Sequence, residues 1–372
     1  MKPTEILLIL AALGVFVVTE EHNRPDSQEW SMRRSAEAGK ARLSLDVRKT
    51  SGLNRNHWQH TTTVDWSAIR GITAEELDKL VHSVKFDVLR DAGILHCEGR
   101  TDIRGASCTF TFEPSRTLGG KLRELGYSSP DDDQLFSMMM HDVSLEFARK
   151  AAEAGLRAST EELIRMRSHG VSDDYIDQTL ASGYPDITAR DLIAFRDHGV
   201  ATEFLRDLKE SGYNLPAREV VEMRDHGVSS DFIAAAGSAG YKDISGREIR
   251  DLHDRGVDGG YLRRLRDYGL APRPRELVQM RDHGVDPEFL RDLKEAGYGA
   301  LPTEDVIRLR DHGVSSKFAR AVRDQGFRFS TREIVEMQDH GVDEAYLRKL
   351  KESGFGHLSA EKIIKLRDHG VE

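Results

Sequence analysis

The stretch Arg310-Asp311-His312-Gly313-Val314 predicts the main architecture of the protein, because versions of it recur along most of the chain. A degenerate first copy lies at His141-Asp142-Val143. A second glycine follows each first one after 13 residues, usually with an aromatic residue behind it. Self-similarity of this kind is typical of repeat architectures. The first glycines are spaced alternately by 28 and 29 residues and are Gly170, Gly199, Gly227, Gly256, Gly284, Gly313, Gly341 and Gly370.

Each repeat begins with a predicted helix. In one copy we expect Thr303 to cap the helix and Gly313 to stop it in the left-handed conformation. The apolar residues between them, Val306, Ile307 and Leu309, fall on one face at helical spacing. The pattern predicts a helix of about ten residues, which is too short to be stable alone in water.

A second predicted helix follows at once. We expect Asp286 to cap it, Pro287 to occupy its first position and Gly297 to end it. Two such helices form a hairpin, and hairpins this short must stack on one another. The buried stripe of this second helix is formed by Phe289, Leu290 and Leu293.

The sequence therefore predicts an α+β protein that is mainly α. Its main part is an α-solenoid of helical hairpins, about 28.5 residues each, preceded by a small antiparallel β-rich module. We expect a signal or anchor segment at 1–19, a linker at 20–40, the β-rich module at 41–127 and the repeat array at 128–372. The array holds eight hairpins and a last helix, Ala360–His369. Its end is expected to fray, to be covered by a partner or to mediate end-to-end oligomerisation.

Alternation of apolar and polar residues predicts the strands of the module. A tryptophan-bearing face of its sheet is either a ligand platform or part of the core. A short helix is expected at Thr73–Val81. The predicted strands are Arg42–Val47, His57–Trp66 and a meander of Val84–Val88, Ile94–Arg100 and Ala106–Phe112.

The two cysteines, Cys97 and Cys108, fall on neighbouring predicted strands and on the same face. If the register places them opposite each other, a disulfide can form. A slip of two residues leaves their Cα atoms about 7 Å apart, at the limit for a bridge. The sequence leaves a disulfide and a pair of buried reduced thiols open as alternatives.

Histidines that precede the repeat glycines suggest a metal site, but the geometry argues against one. Equivalent positions of stacked hairpins lie roughly 10 Å apart, whereas zinc ligands converge to about 2 Å from the ion. Such histidines can instead meet helix carbonyls or bond to the next repeat. In one copy Arg255 takes the place of the histidine. We expect no metal site, and we expect structural caps at His169, His198, His226, His283, His312, His340 and His369, together with the glycines that follow them.

No motif predicts catalysis. Ser359-Ala360-Glu361-Lys362 matches the Ser-x-x-Lys pattern of acylating serine enzymes, but Ser359 falls in the N-cap register of the last repeat. The sequence contains no His-Glu-x-x-His, Gly-x-Ser-x-Gly, phosphate-loop or dinucleotide-binding motif. We therefore expect a protein that is not an enzyme and uses no cofactor.

The charge distribution bears on the partner. The formal net charge is −9, so the chain lacks the excess of basic residues that nucleic-acid binding needs. The acidic excess lies in residues 128–372, with 46 Asp and Glu against 36 Lys and Arg. We expect a protein or peptide partner and no nucleic acid; the acidic surface is either merely solvated or faces a basic partner.

The amino terminus has the pattern of an export signal. Ile6–Val18 is an unbroken apolar stretch behind Lys2. As a helix it would span about 20 Å, less than the roughly 30 Å of a membrane core. We expect export to the periplasm or cell envelope, with the segment either cleaved or kept as a membrane tether. A buried amphiphilic helix is the alternative.

Several segments carry a resemblance: Phe86-Asp87-Val88-Leu89-Arg90-Asp91-Ala92-Gly93, Cys97-Glu98-Gly99, Phe110-Thr111-Phe112 and the tandem Arg-Asp-His-Gly-Val hairpins. Through them the chain resembles uncharacterised bacterial envelope proteins with such repeats. In some of these a similar array follows a membrane zinc-peptidase domain of the β-lactam-sensor antirepressor type. This chain lacks the His-Glu-x-x-His of that domain, so the resemblance implies an envelope or sensory setting and not proteolysis.

The function expected from the sequence is a non-enzymatic protein-interaction scaffold of the bacterial cell envelope. Its helical repeat surface would bind the partner. The alternative is a regulatory or sensory ectodomain whose β module binds a small ligand.

Overall fold

The chain folds into an α+β structure that is mainly helical, so the expected fold class is confirmed. It forms two compact units, residues 1–168 and 169–372. The expected signal or anchor segment lies outside the described residues. The structure is a computed structural model, and of the 372 residues it describes 27–51, 54–78, 82–102 and 105–371.

One seven-stranded antiparallel sheet lies in the first unit, in the order β3-β2-β1-β7-β6-β5-β4. The three strands of the predicted meander are therefore neighbours, β5, β6 and β7. A 3₁₀ turn, Trp66–Ala68, precedes β4. The strands are β1 (Ser27–Arg34), β2 (Lys40–Ser51), β3 (Asn54–Asp65), β4 (Ile69–Arg70), β5 (Ser83–Arg90), β6 (Gly93–Asp102) and β7 (Gly105–Pro114).

Strand β1 lies between β2 and β7, inside the region expected to be a linker at 20–40. Trp30 and Met32 point from it into the core, with 2% and 1% of their surfaces exposed. The ring of Trp30 packs edge-on against Phe86, with the centroids 4.5 Å apart. The linker prediction is wrong for these residues. Two buried side chains at alternate positions are enough to form a strand here, because another strand pairs with it on each side.

Nineteen helices lie within the described residues, most of them nine residues long. A π-helical turn, Lys294–Tyr298, extends one of them. The helices are α1 (Ala74–Leu77), α2 (Leu118–Glu124), α3 (Asp132–His141), α4 (Leu145–Glu153), α5 (Thr160–Ser168), α6 (Asp173–Ala181), α7 (Ala189–Asp197), α8 (Thr202–Glu210), α9 (Ala217–Asp225), α10 (Ser230–Ser238), α11 (Gly246–Asp254), α12 (Gly259–Asp267), α13 (Pro274–Asp282), α14 (Pro287–Leu293), α15 (Thr303–Asp311), α16 (Ser316–Asp324), α17 (Thr331–Asp339), α18 (Glu344–Glu352) and α19 (Ala360–Asp368).

Within the first unit, the sheet covers helix α3. Phe136 stacks on Phe110 of β7, with 6.1 Å between the ring centroids. Arg90, at the end of β5, donates a hydrogen bond to the carbonyl oxygen of Met139 in the last turn of α3. The Arg90 side chain is only 9% exposed, and its Nε lies 3.0 Å from a carboxylate oxygen of Asp142. The first helix of the repeat series is thus fixed to the sheet by both apolar and polar contacts.

Within the second unit, the helices form two layers. Each first helix of a repeat contacts the first helix of the next repeat, through α7, α9, α11, α13, α15, α17 and α19. The second helices α6, α8, α10, α12, α14, α16 and α18 contact one another in the same way. The layers arise because each hairpin buries its apolar stripe only against its neighbours.

The helix ends follow the local sequence. Asp286 accepts a hydrogen bond from the N–H of Phe289, and Gly297 has a φ of 84°, as the sequence predicts. The expectation that Thr303 caps its helix is wrong, because Pro302 is the cap and Thr303 is the first helical residue. Pro302 has φ −57° and ψ 148°, an extended conformation that suits the proline ring. The helical conformation begins at the next residue.

Candidate functional site

The repeated histidines join neighbouring repeats. In six cases the ring Nδ1 lies 2.5–2.9 Å from a carboxylate oxygen of an aspartate in the next repeat. That aspartate comes directly before the residue at the histidine position of its own repeat. His369 instead donates from Nδ1 to the carbonyl oxygen of Lys365 in its own helix, at 2.7 Å. The six pairs are His169–Asp197, His198–Asp225, His226–Asp254, His283–Asp311, His312–Asp339 and His340–Asp368.

The glycine after each of these histidines lets the chain turn. Gly170, Gly199, Gly227, Gly284, Gly313, Gly341 and Gly370 have φ between 64° and 77°. In the degenerate first copy Asp142 takes this place with a φ of 56°, the one non-glycine residue with positive φ among the described residues. Because the six histidine rings are 37–47% exposed, each pair adds at most about 1 kcal/mol.

The arginine of the motif makes two contacts with the preceding repeat. The guanidinium of Arg310 lies 5.3 Å from the ring centroid of Phe289 and donates to the carbonyl oxygen of Gly284 at 3.0 Å. Arg367 repeats both contacts, with the ring of Tyr346 and the carbonyl of Gly341. The arginine thereby satisfies a helix-terminal carbonyl that would otherwise lack a partner.

One repeat exchanges the two residue types and keeps the ring contact and the ion pair with aspartate. His253 occupies the arginine position, and its ring packs edge-on against Phe232 with the centroids 5.6 Å apart. Arg255 occupies the histidine position and lies 3.0 Å from Asp282. The exchange shows that these positions are defined by their contacts with the next and the preceding repeat.

A second basic position secures the other layer. Lys209 donates to the carbonyl oxygen of Ala181 at 2.8 Å, and Arg323 donates to that of Gly297 at 2.9 Å. Both acceptors lie near the end of the preceding repeat's second helix. The repeated polar side chains thus hold repeats together. Within the described part of the chain, no cluster of three or more His, Cys, Asp or Glu could hold a metal ion.

The cysteines lie at diagonal positions of the β6–β7 pair. The register places Cys97 opposite Phe110 and Cys108 opposite Gly99. Diagonal neighbours have Cα atoms about 7–8 Å apart, beyond the usual span of a disulfide. Cys97 is buried. The side chain of Cys108 lies outside the described ones, so a disulfide and two reduced thiols both stay predictions.

A polar cluster occupies the solvent face of the same sheet. His96 of β6 lies 2.7 Å from Asp87 of β5 and 3.2 Å from Glu113 of β7. Hydrogen bonds to Asp87 and then to Glu113 raise the pKa of His96 above its ordinary value. The His96 side chain is 41% exposed, so the cluster is a surface ion pair and not an enclosed site.

The last two helices of the described chain, α18 and α19, form an apolar groove of about 500 Å³. That volume lies within the range of ligand-sized clefts, about 300–1,000 Å³. We call it the α18–α19 groove. Its apolar lining includes Leu350, Phe355 and Leu366, and three lysines add positive charge, Lys349, Lys362 and Lys365.

Two side chains of this groove are far more exposed than their counterparts in other repeats. Phe355 is 48% exposed, whereas Phe327, one repeat earlier, is 5% exposed. Val371 is 47% exposed, whereas Val342 is fully buried at 0%. The same two positions are therefore core in the preceding repeat and surface here.

The hydroxyl of Tyr346 marks the same difference. In earlier repeats Tyr175 and Tyr261 donate to the carbonyl oxygens of Val200 and Val285, at 2.6 and 2.9 Å. Burial raises the pKa of both tyrosines to about 12, so their hydroxyls stay protonated donors. Tyr346 lines the groove, is 3% exposed, and its buried hydroxyl has no hydrogen-bond partner among the described residues.

No sequence pattern predicts the groove. Aligning the repeats places Phe355 at the position of Phe327, which is buried, so the alignment gives no signal for the groove. Ser359 lies at the cap of α19 as expected from its register, without a side-chain capping hydrogen bond.

In the part of the chain that the structure describes, none of the helices has the length and apolar character needed to span a membrane. Comparisons of the sequence with protein-family models and with curated proteins each found no match.

Proposed function

We propose that this protein is a non-enzymatic interaction scaffold whose α18–α19 groove binds a helical segment of a partner protein. The observation that carries the proposal is the exposure of Phe355 and Val371 at positions that are core in the preceding repeat. Contiguous exposed apolar surface with a polar rim is typical of an interaction site.

The repeats themselves indicate the kind of occupant. In the second unit each second helix contacts the second helix of the next repeat, as α16 contacts α18. A single amphipathic helix is thus the shape that this surface accepts everywhere else in the unit. Burying a half-exposed phenylalanine and valine contributes about 2 kcal/mol to binding before the costs of association.

The contacts of the repeated polar residues support a role without catalysis. The histidines, arginines and aspartates of the motif are engaged between repeats, where they order the helices. A place in the bacterial cell envelope is part of the proposal and rests on the apolar stretch Ile6–Val18 and on the resemblance to envelope proteins.

The test is site-specific photo-crosslinking in the full chain. A photoreactive phenylalanine analogue replaces Phe355 in one variant and Lys317, an exposed residue of α16, in the control. We expect a crosslink from position 355, and not from 317, that maps to an amphipathic helix of one protein. Equal labelling from both positions, or no crosslink from position 355, would contradict the proposal.

A further inference from the structure

We infer that the α18–α19 groove recognises an amphipathic helix with the sequence order acidic residue, aromatic residue, leucine, two variable residues, leucine. This inference rests on the proposed function and names the chemistry of the partner. It is argued from the way the chain binds its own helices.

The apolar part of this order comes from the second helices. Phe289, Leu290 and Leu293 of α14 are 4%, 8% and 1% exposed. The same spacing recurs in α8, where Phe204, Leu205 and Leu208 are 3%, 0% and 1% exposed. These stripes belong to the helix layer that α18 continues. A helix that covers α18 therefore needs the same stripe.

The acidic residue follows from a charge contact in register. Arg264 of α12 lies 3.0 Å from Glu288, which directly precedes Phe289 in the next second helix. Lys349 of α18 occupies the position of Arg264, six residues after the capping aspartate of its helix. Lys349 is exposed, and no ion pair involves it among the described residues. It is thus placed to meet a carboxylate directly before the aromatic residue.

Two further lysines line the groove, and one of them adds positive charge that is unpaired among the described residues. Lys362 is exposed, and Lys365 lies 2.7 Å from Glu361 of its own helix. The groove therefore carries basic side chains in a repeat region with an acidic excess. This local charge favours an acidic helix over the basic partner that the net charge suggests.

The chain supplies its own probe. A labelled peptide with the sequence of residues 286–298, stapled between positions 291 and 295 to hold the helix, is titrated into the full chain by fluorescence polarisation. A short peptide is otherwise mostly unfolded in water. We expect saturable binding, weakened more than about tenfold by Phe289→Ala in the peptide. A peptide of the same composition in shuffled order is the control and should not bind.

A charge exchange tests the acidic position. Lys349→Glu in the chain, or Glu288→Lys in the peptide, should each weaken binding about two- to fivefold, and the two together should restore it. Lys317→Glu is the matched control on α16, and circular dichroism checks that each variant is folded. Failure of the double exchange to restore binding would overturn the acidic position.

The outcomes separate this inference from the proposed function. If the peptide fails to bind while photo-crosslinking from position 355 captures a helix of another sequence order, the recognition order is wrong and the scaffold stands. If neither experiment gives a signal, both fail. A concentration-dependent dimer that Phe355→Ser abolishes would make a second copy the occupant and overturn the inference.

Discussion

Two helix pairs differ in how far other elements cover their apolar surface: α2 and α3 in the first unit, and α18 and α19 in the second. In the first unit the sheet covers α3, where Phe136 stacks on Phe110 and Arg90 bonds to Met139. In the second unit Phe355 stays 48% exposed. A stacked repeat presents apolar surface at any uncovered edge. Apolar side chains of the repeat helices are thus buried where the sheet covers them and exposed where no described element does.

The largest effect is expected when one repeat position is compared in its two environments. Phe327→Ala removes a buried ring and should lower the free energy of unfolding by about 3–5 kcal/mol. Phe355→Ala removes a half-exposed ring and should cost about 1 kcal/mol or less. Urea denaturation followed by circular dichroism measures both. Equal losses would show that Phe355 is packed as tightly as Phe327.

The covered edge is tested by Arg90→Ala. The change removes the guanidinium that donates to the carbonyl oxygens of Met139 and Thr63 and should destabilise the first unit by about 2–4 kcal/mol. Tryptophan fluorescence reports on this unit, because all three tryptophans of the chain precede residue 67.

The control for Arg90 is Arg34→Ala. Arg34 forms an exposed ion pair with Asp78 at 2.8 Å, so its loss should cost less than about 1 kcal/mol. A loss for Arg90→Ala as small as that of the control would mean that the buried guanidinium does not fix the sheet to α3.

A smaller effect tests the contacts between repeats. The double variant His253→Arg with Arg255→His restores the common order of the motif. It should be as stable as the natural chain or about 1 kcal/mol more stable, because the buried Nδ1 of His253 has no hydrogen-bond partner among the described residues. His253→Ala alone should lose about 1 kcal/mol with its contact to Phe232. Thermal denaturation measures both, and a clear loss in the double variant would refute the equivalence of the two arrangements.

The smallest effect concerns pH. Because Asp87 and Glu113 raise the pKa of His96, this cluster stabilises the folded state below the unfolded pKa of about 6.5. The stabilisation is lost as the pH rises through the folded-state pKa. We expect these exposed pairs to stabilise the folded state by less than about 1 kcal/mol. The His96→Gln variant should lack this stabilisation. Urea midpoints at about pH 5.5 and about pH 8.5 measure it, and an equal pH dependence in both chains would exclude His96 as the source.

The hairpins could be predicted because their determinants are local. Glycines such as Gly313 stop a helix wherever they fall, and an aspartate such as Asp286 caps one within three residues. The strands β5 to β7 could likewise be predicted from the alternation of apolar and polar residues. By contrast β1, with only Trp30 and Met32 as apolar positions facing the core, pairs on one side with β7, which lies far away in sequence.

The polar contacts were harder to predict for the same reason. The partner of His312 is Asp339, 27 residues further along the chain, and no local pattern shows which atom the imidazole meets. The groove was missed because a residue such as Phe355 has the same sequence context as Phe327. Only the arrangement of neighbouring helices makes one of them surface and the other core.

Hydrogen exchange in an extended chain measures whether the α18–α19 groove accepts an amphipathic helix. A copy of residues 286–298 is appended after residue 372, so that its helix can reach the α18–α19 groove. We expect slower amide exchange in α18 and α19 and unchanged exchange in α6 to α8. A control extension with Phe289→Ala and Leu293→Ala in the appended copy should slow exchange less. Unchanged exchange in α18 and α19 with the natural copy would contradict the claim that this groove accepts an amphipathic helix.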